Sequence, residues 1–330
     1  MQQTIVPQNI KRVLIIALGS LGDVVLSIAA IEAIRNYHQD AHIVVLTEPN
    51  CARIFENCPF VDEYITNHRT IGMKEDLALK GALQKAHFDM VYDLSCNDES
   101  DELYKKFWPI KPKWSGVSNN CSHPHIDRGR ENLHPLDRLA EQLWLCGIGP
   151  KDGYPLGATP LPNLDYLIPA NEAHNYTPKA LGVDYEYALL IPEGAKNDAQ
   201  NAWPTFRYID LCNLLLSQGM KPIVCGTHEA IVLGNEIRAG FPDILDLVGR
   251  LDLLSFISLA KNAKLVIGSN SDMAIIAAIA NAPLVALVNP QSQNLKKSAP
   301  RGNKCVTLVS KDFAQIAPNQ IMQAAKAVME

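Results

Sequence analysis

Residues 11–36 read KRVLIIALGSLGDVVLSIAAIEAIRN, and the order of apolar and small residues in this stretch decides the fold. Val13–Leu18 is a continuous apolar run with the length of a buried strand. It ends in the turn Gly19–Asp23, after which apolar residues recur at helical spacing as far as Tyr37. The stretch therefore predicts a buried strand, a tight turn and a helix, which together begin a parallel α/β unit.

The same alternation continues along the chain and restarts once. In the first half, strands are predicted at His42–Thr47, near Tyr64 and at Met90–Leu94, with helices near 51–57 and over 74–86. In the second half, the predicted strands are Ala188–Ile191, Lys221–Cys225, a short one near Ile244, Ala263–Ile267 and Pro283–Val288. The predicted helices between them are Thr205–Gln218, His228–Ala239, Asp252–Lys261 and Met273–Asn281. Because strands that alternate with helices form parallel sheets, the chain is expected to be α/β with two Rossmann-like domains.

A run of prolines separates the two series and marks the domain boundary. We predict a first domain of residues 1–160, a Pro-rich linker of residues 161–185 and a second domain of residues 186–330. Residues 95–130 show no sustained period and are predicted to form long loops over the carboxyl edge of the first sheet. The amphipathic pattern Ile316–Met329 predicts a closing helix.

The composition excludes several classes of protein. A net charge of −5 argues against a general nucleic-acid binder, which needs an excess of lysine and arginine. The eight cysteines form no CxxC pair and no zinc-like spacing with histidine, so we expect reduced thiols and a cytoplasmic protein. The longest N-terminal apolar run is much shorter than the ~20 residues of a membrane span. The histidines show no HExxH spacing, so no metal is expected.

The turn after the first predicted strand narrows the classes of enzyme to which the chain could belong. It lacks both the GxGxxG spacing of dinucleotide-binding proteins and the Gly-Lys-Ser/Thr of a Walker loop, which weakens a dehydrogenase or NTPase interpretation. Asp23 stands in the first helical turn, where an aspartate commonly caps the helix or interacts with its dipole. Asp23 would also project from the carboxyl edge of the first strand, where a general base is useful. The residue types alone leave both roles open.

Four segments, in order, resemble the bacterial heptosyltransferases of glycosyltransferase family 9. They are the opening stretch at 11–36, NLHPLDRLAEQLWLCGI at 132–148, AWPTFRYIDLCNLL at 202–215 and LVGRLDLLSFISLAKNAKLVIGSNSDMAIIAAIANAPLVALVNP at 247–290. The resemblance implies a GT-B fold, in which two Rossmann-like domains with parallel sheets face each other across a cleft. It also implies that the closing helix packs back on the N-terminal domain.

The resemblance further implies an inverting, metal-independent glycosyltransferase without a cofactor. The enzyme would move a heptose or similar sugar from a nucleotide-diphosphate donor, ADP-heptose in this family, to a lipopolysaccharide or other glycan acceptor. The matching Asp23 would take the proton from the attacking acceptor hydroxyl. A lipid-linked acceptor would bring the protein into transient contact with the cytoplasmic face of the inner membrane.

The same resemblance assigns candidate binding residues. A helix start with free backbone amides stabilises the leaving diphosphate, and the segment after Gly268 is expected to supply it. The residues expected at the donor diphosphate are Gly22, Lys196, Ser269, Asn270, Ser271 and Asp272, and those expected at the nucleoside are Gly226, Thr227 and Glu229. The cations expected at the acceptor are His68, Arg69, Arg128 and Arg130. Helix capping and scattered surface charge are alternative explanations for several of these residues.

The donor loop departs from the family pattern. Where the family usually has Gly-Asn-Asp-Ser-Gly-Pro-Met-His, this chain has GSNSDMAI from Gly268 to Ile275, and Asp272 replaces a glycine. A carboxylate at that position repels a diphosphate. Asn270 replaces the family's aspartate, and Asn201-Ala202 precede Trp-Pro where the family has a basic residue. These departures favour an alternative, a catalytically weak or inactive GT-B-like protein with a binding or scaffold role.

Overall fold

The computed structural model describes residues 3–67, 73–107, 109–126, 129–192, 202–290 and 295–329. The predicted site residues His68, Arg69, Arg128 and Lys196 lie outside these ranges, as does Asn201. The chain divides into two compact units, Met1–Pro162 and Asn163–Glu330. Among the described residues, no helix combines the length and the apolarity needed to cross a lipid bilayer.

The described part of the first unit contains a parallel sheet with the strand order β3-β2-β1-β4-β5-β6. Its strands are β1 (Arg12–Ala17), β2 (His42–Thr47), β3 (Glu63–Thr66), β4 (Met90–Asp93), β5 (Lys113–Gly116) and β6 (His123–Pro124). Its helices are α1 (Leu21–Tyr37), α2 (Met73–Lys85), α3 (Asp98–Lys106) and α4 (Pro135–Leu145). The central strands β1 and β2 are almost entirely buried, as expected for apolar runs covered on both faces of a parallel sheet.

The described part of the second unit contains a second parallel sheet, with the strand order β12-β11-β10-β7-β8-β9. Its strands are β7 (Tyr187–Ile191), β8 (Lys221–Val224), β9 (Leu245–Asp246), β10 (Leu265–Ser269), β11 (Leu284–Val288) and β12 (Cys305–Val309). Its helices are α5 (Thr205–Ser217), α6 (Ile231–Gly240), α7 (Leu253–Asn262), α8 (Asp272–Ile279), α9 (Leu295–Ser298) and α10 (Pro318–Met329). Trp203 and Tyr208 are fully buried in its core and pack edge to face.

Both sheets have the Rossmann strand order, which reverses direction next to the first strand of each unit. The reversal lies between β1 and β4 in the first unit and between β7 and β10 in the second. Ligands of such sheets bind outside the carboxyl ends of the strands at this switch point. The Gly19–Asp23 turn follows β1, and the Asn270–Asp272 segment follows β10, so both candidate segments stand at switch points.

Residues 95–130 differ from the prediction of long loops, because they contain α3, β5 and β6. Helix α3 begins with a capping box in which Asn97 and Ser100 bond each other's backbone N–H groups. Only Ser100, Leu103 and Tyr104 of this helix are buried, so its sequence is mostly polar and carries little apolar period. The loop after α3 also lies at the amino edge of the sheet, because α3 runs back from the carboxyl end of β4 to the start of β5.

One further expectation differs from the structure. Residues 163–185 belong to the second unit instead of forming a separate linker, since Leu164, Leu167 and Val183 are buried there. The closing helix α10 packs on the core of its own unit, where Ile321 and Val328 are buried. Its packing on the first domain, which the resemblance implies, stays a prediction. The unpredicted strand β12 helps to provide the surface that α10 covers.

Candidate active site

Asp23 lies in the first turn of α1, directly after the carboxyl end of β1. Its Oδ2 accepts hydrogen bonds from the Ser20 backbone N (3.2 Å) and the Ser20 Oγ (3.0 Å), while the Asp23 backbone N donates to the Ser20 Oγ (3.2 Å). Gly19, at a φ of 152°, leaves room for this carboxylate, because a Cβ there would stand 3.1 Å from Oδ2. Asp23 is therefore a capping-box residue, and its side chain is also exposed to solvent.

Arg130 belongs to a buried basic cluster near the carboxyl ends of β4, β5 and β6. Its Nε donates to the His125 Nδ1 at 3.4 Å, and the His125 Nε2 contacts the Glu141 Oε2 at 2.8 Å. These two contacts place the His125 proton on Nε2, since Nδ1 accepts. Burial lowers the pKa of His125, and the Glu141 contact opposes that shift. Arg130 is only 5% exposed, which is unusual for a surface cation.

Arg138, one turn into α4, belongs to the same cluster. Its Nε is buried and has no hydrogen-bond partner among the residues that the structure describes. Burial, followed by the neighbouring Arg130, lowers the pKa of Arg138, while Cys96 and Asp23 act in the opposite direction. Arg138 therefore lies within electrostatic range of both Arg130 and Asp23. The cluster offers a half-buried guanidinium within electrostatic range of the candidate base, which suits an anionic ligand.

Gln142 fixes the position of α4 over the sheet. Its Nε2 donates to the Asp93 backbone O (2.8 Å) and the Ser115 backbone O (3.3 Å), at the ends of β4 and β5. Arg138 stands one helical turn before Gln142, so the same contacts hold Arg138 over the carboxyl end of β4. The sequence gives no local signal for this placement, because it depends on contacts across 27 and 49 residues.

Asp93 is a fully buried carboxyl group at the end of β4. It accepts hydrogen bonds from the Cys96 backbone N (2.8 Å) and the Ser100 Oγ (2.7 Å). Burial raises the pKa of Asp93 to about 6, although these hydrogen bonds and the nearby Arg130 act to lower it. Sequence reasoning did not single out Asp93, which ends an ordinary buried strand.

Asp93→Asn is expected to remove a pH-dependent part of the stability. Because the folded pKa is raised, the Asp93 contribution is fully present below the ordinary pKa and is lost as pH rises through about 6. The free energy of unfolding of the variant minus that of the wild type should thus increase by about 3 kcal/mol between about pH 3 and about pH 7. Urea unfolding at a series of pH values measures this difference. The exposed control Asp152→Asn should show little slope, and a flat difference for Asp93→Asn would contradict the assignment.

The second unit holds a pocket of about 720 Å³ at the carboxyl ends of its strands. Six of the predicted donor and nucleoside residues line it, namely Thr227, Glu229, Ser269, Asn270, Ser271 and Asp272. The other lining residues are Pro192, Ala202, His228, Ala230, Val232, Leu233, Glu236, Leu287, Asn289 and Phe313. Gly226 follows β8 and accepts a hydrogen bond from the Gly249 backbone N (2.9 Å), but it is not in the lining. Gly22 is buried in α1, in the first unit.

The start of α8 forms one wall of this pocket. Ser271 is the N-cap, and its Oγ accepts a hydrogen bond from the Ala274 backbone N at 3.3 Å. Asp272 follows as the first helical residue and places a carboxylate at the positive end of the helix dipole. A second anion would compete with this carboxylate for the helix end.

In the described part of the chain, the pocket lining is rich in acidic residues. Glu229, Glu236 and Asp272 contribute carboxylates, whereas no described lysine or arginine lines the pocket. Glu236, which sequence reasoning missed, accepts a hydrogen bond from the Thr205 Oγ1 at 2.8 Å. Arg207 donates to the Ala314 backbone O (3.0 Å) and stands outside the lining. The described lining therefore suits neutral hydroxyl-rich groups better than a bare dianion.

Two Rossmann-type units, with a carboxylate at the first switch point and a pocket at the second, have the fold of the GT-B class of glycosyltransferases. The chain belongs to glycosyltransferase family 9 (heptosyltransferase), whose family model matches residues 158–323. The predicted fold and family are thus confirmed.

Known relatives match the chain over nearly its whole length. Lipooligosaccharide heptosyltransferase 2 of Haemophilus ducreyi is 23% identical over 296 residues, 85% of this chain and 84% of that protein. The structure of E. coli ADP-heptose lps heptosyltransferase II has a TM-score of 0.79 at 19% identity, covering 96% of this chain and 98% of that one. E. coli heptosyltransferase WaaC with ADP has a TM-score of 0.73 at 19% identity, covering 94% and 98%. At these identities the solved structures show a shared fold.

Proposed function

We propose that this chain transfers a heptose or similar sugar from a nucleotide-diphosphate donor to a lipopolysaccharide or other glycan acceptor, with inversion and without a metal. The observation that carries the proposal is the exposed carboxylate of Asp23 at the switch point of the first sheet, in a chain of this family. Several relatives bear the name heptosyltransferase, which supports a heptose as the transferred sugar.

In the proposed reaction, Asp23 removes the proton of an acceptor hydroxyl as its oxygen attacks the anomeric carbon. The new C–O bond forms on the face opposite the leaving nucleoside diphosphate, so the configuration inverts. The bond between the anomeric carbon and the diphosphate oxygen breaks, and its electron pair leaves with the diphosphate. Backbone amides at the start of α8 would stabilise this charge, with Gly22 and Lys196 as further candidates.

The donor side of the proposal depends on the second-unit pocket. Its volume of about 720 Å³ suits a nucleoside with its sugar. In this proposal Glu229, which lines the pocket with Thr227 and lies near Gly226, would accept hydrogen bonds from the ribose hydroxyls. The structure of E. coli WaaC with ADP supports an adenine nucleotide as the first candidate.

The acceptor side of the proposal depends on the basic cluster of the first unit. Arg130 and Arg138 would bind a carboxylate or phosphate of the acceptor and hold its hydroxyl near Asp23. His68, Arg69 and Arg128 remain predictions for the same role. A lipid-linked acceptor of this kind would place the enzyme in the cytoplasm, at the inner membrane.

The proposal is tested by incubating the protein with ADP-heptose and a Kdo-bearing lipid acceptor and measuring both ADP release and the glycosylated product. Equal amounts of the two products are expected without added metal and in the presence of a chelator. A protein that neither forms product nor binds ADP, UDP or GDP in a melting-temperature screen would contradict the proposal and favour a binding role.

Asp272→Gly is expected to tighten ADP binding by about tenfold, because it removes a like charge from the helix end proposed to bind the diphosphate. Ser271 remains as the N-cap, so the substitution should lower the stability of the helix by only about 1 kcal/mol. Calorimetric titration with ADP measures the change. Asp243→Gly removes an exposed carboxylate elsewhere in the same unit and should leave the affinity unchanged. An unchanged or weaker affinity in Asp272→Gly would exclude this helix end as the diphosphate site.

A further inference from the structure

His125 connects the basic cluster of the first unit to the sheet and to α4. It directly follows β6, and its backbone N donates to the Gly116 backbone O at 2.7 Å, so the end of β5 fixes its position. The residue is fully buried, with 0% exposed. Its Nε2 contacts the Glu141 Oε2 on α4 at 2.8 Å, and its Nδ1 accepts from the Arg130 Nε at 3.4 Å. His125 is therefore the middle member of a chain that runs from Glu141 to Arg130.

Arg130 has a second contact, which constrains it less. Its Nη1 pairs with the Glu131 Oε1 at 3.0 Å, but the Glu131 side chain is 67% exposed. Ion pairs that face solvent are screened and contribute little. The contact between the Arg130 Nε and His125 lies among buried residues, where a hydrogen bond is stronger and an unmade one is costly. His125 therefore does most to fix the direction of the guanidinium.

The group that holds Arg130 is neutral, which suits a cation that binds an anion. A carboxylate in the place of His125 would also fix Arg130, but it would neutralise the charge. The imidazole accepts through a ring nitrogen and leaves the positive charge available to a ligand. Burial, together with the nearby Arg130 and Arg138, lowers the pKa of His125, so the ring is neutral at pH 7. The ring also separates the negative Glu141 from Arg130.

We propose that His125 is a positioning residue, which holds the charged guanidinium of Arg130 in place to bind the oxyanion of the acceptor. Without this contact, repulsion by Arg138 and attraction to Glu131 would set the direction of the guanidinium instead. A guanidinium that is already fixed loses less conformational freedom on binding, so the anion binds more tightly. The inference rests on the proposed function, in which Arg130 and Arg138 bind a carboxylate or phosphate of the acceptor.

Two single variants each keep one half of the chain of contacts. In His125→Asn the amide oxygen can stand where Nδ1 accepts from Arg130, while the contact with Glu141 is lost. In His125→Gln the amide nitrogen can stand where Nε2 contacts Glu141, while Arg130 loses its acceptor. In transfer to a Kdo-bearing acceptor, His125→Gln should raise the acceptor KM by about tenfold, and His125→Asn should stay within about threefold of the wild type. The kcat at saturating acceptor should change little in either variant, because the proposed base Asp23 is untouched.

Inorganic phosphate gives a readout that needs no catalysis. It should raise the melting temperatures of the wild type and of His125→Asn by similar amounts, and that of His125→Gln by clearly less. This pattern in a protein that forms no product would support the positioning role and count against the transferase activity alone.

His38→Gln is the matched control at another fully buried histidine of the first unit. The His38 ring also makes two contacts, with the Gln8 backbone O (3.3 Å) and the Tyr92 hydroxyl (2.9 Å), and the residue follows the C-terminal end of α1. This variant should lose stability but keep the acceptor KM and the effect of phosphate. The proposal is overturned if His125→Asn and His125→Gln raise KM equally, if neither changes KM or the phosphate effect, or if phosphate leaves the melting temperature of the wild type unchanged.

Discussion

Asp23→Asn is expected to lower kcat for sugar transfer by about 100-fold to 10,000-fold, the usual contribution of a general base. Asparagine has nearly the same volume, and its amide oxygen can accept the two hydrogen bonds that Ser20 donates to Oδ2. The substitution therefore removes the ability to take a proton and keeps the capping geometry. Steady-state kinetics with saturating donor and acceptor measure the loss.

Ser20→Ala provides the matched control for the capping role of Asp23. It removes the side chain that accepts from the Asp23 backbone N and should cost about 1 kcal/mol of helix stability, while the carboxylate remains. Its kcat should stay within a few-fold of the wild type. Nucleotide affinity should be unchanged in Asp23→Asn, because the predicted base acts on the acceptor. If Asp23→Asn keeps nearly full activity at normal affinity, Asp23 is a helix cap and the base lies elsewhere.

The sequence predicted the central strands and the helices beside them because both faces of a parallel sheet are covered. The apolar run Val13–Leu18 coincides with β1 to within one residue, and the helix after the turn ends at Tyr37 as expected. Here local composition and tertiary burial agree, so the pattern of residue types is sufficient to predict these strands and helices.

The elements that the sequence did not reveal are those whose stability comes from polar or long-range contacts. Helix α3 is defined by its capping box and charge distribution, and it buries too few apolar residues to show a helical period. Strands β5 and β6 pair over very few residues. The placement of α10 depends on contacts with β11, β12 and α5, and α5 lies far away in the sequence.

The residues of the candidate site also fall into those that the sequence predicts and those that it does not. Asp23 and the segment Ser269–Asp272 could be predicted, because each follows a strong apolar strand and precedes a helix. Arg138 could not, since it reaches the neighbourhood of Asp23 only because Gln142 bonds the ends of β4 and β5. Glu236 likewise reaches the donor pocket from the interior of α6.

Arg138→Met is expected to raise the KM for an anionic acceptor by about 10-fold to 100-fold, the effect of losing a charge-assisted hydrogen bond to a ligand. In the free protein, Arg138 is near Arg130 and its Nε has no hydrogen-bond partner in the described ranges. Holding like charges together out of water costs free energy, which an anionic ligand would recover. Methionine fills a similar volume without the charge.

The stability of Arg138→Met separates a binding role from a structural one. If Arg138 serves a ligand, the variant should melt at the same temperature as the wild type or higher, because a partly buried guanidinium that lies near Arg130 has been removed. Inorganic phosphate should raise the melting temperature of the wild type more than that of the variant. Arg53→Met, which breaks a surface pair with Glu56, should change neither KM nor the phosphate effect. A variant that melts several degrees lower with an unchanged KM would instead show that Arg138 stabilises the first unit.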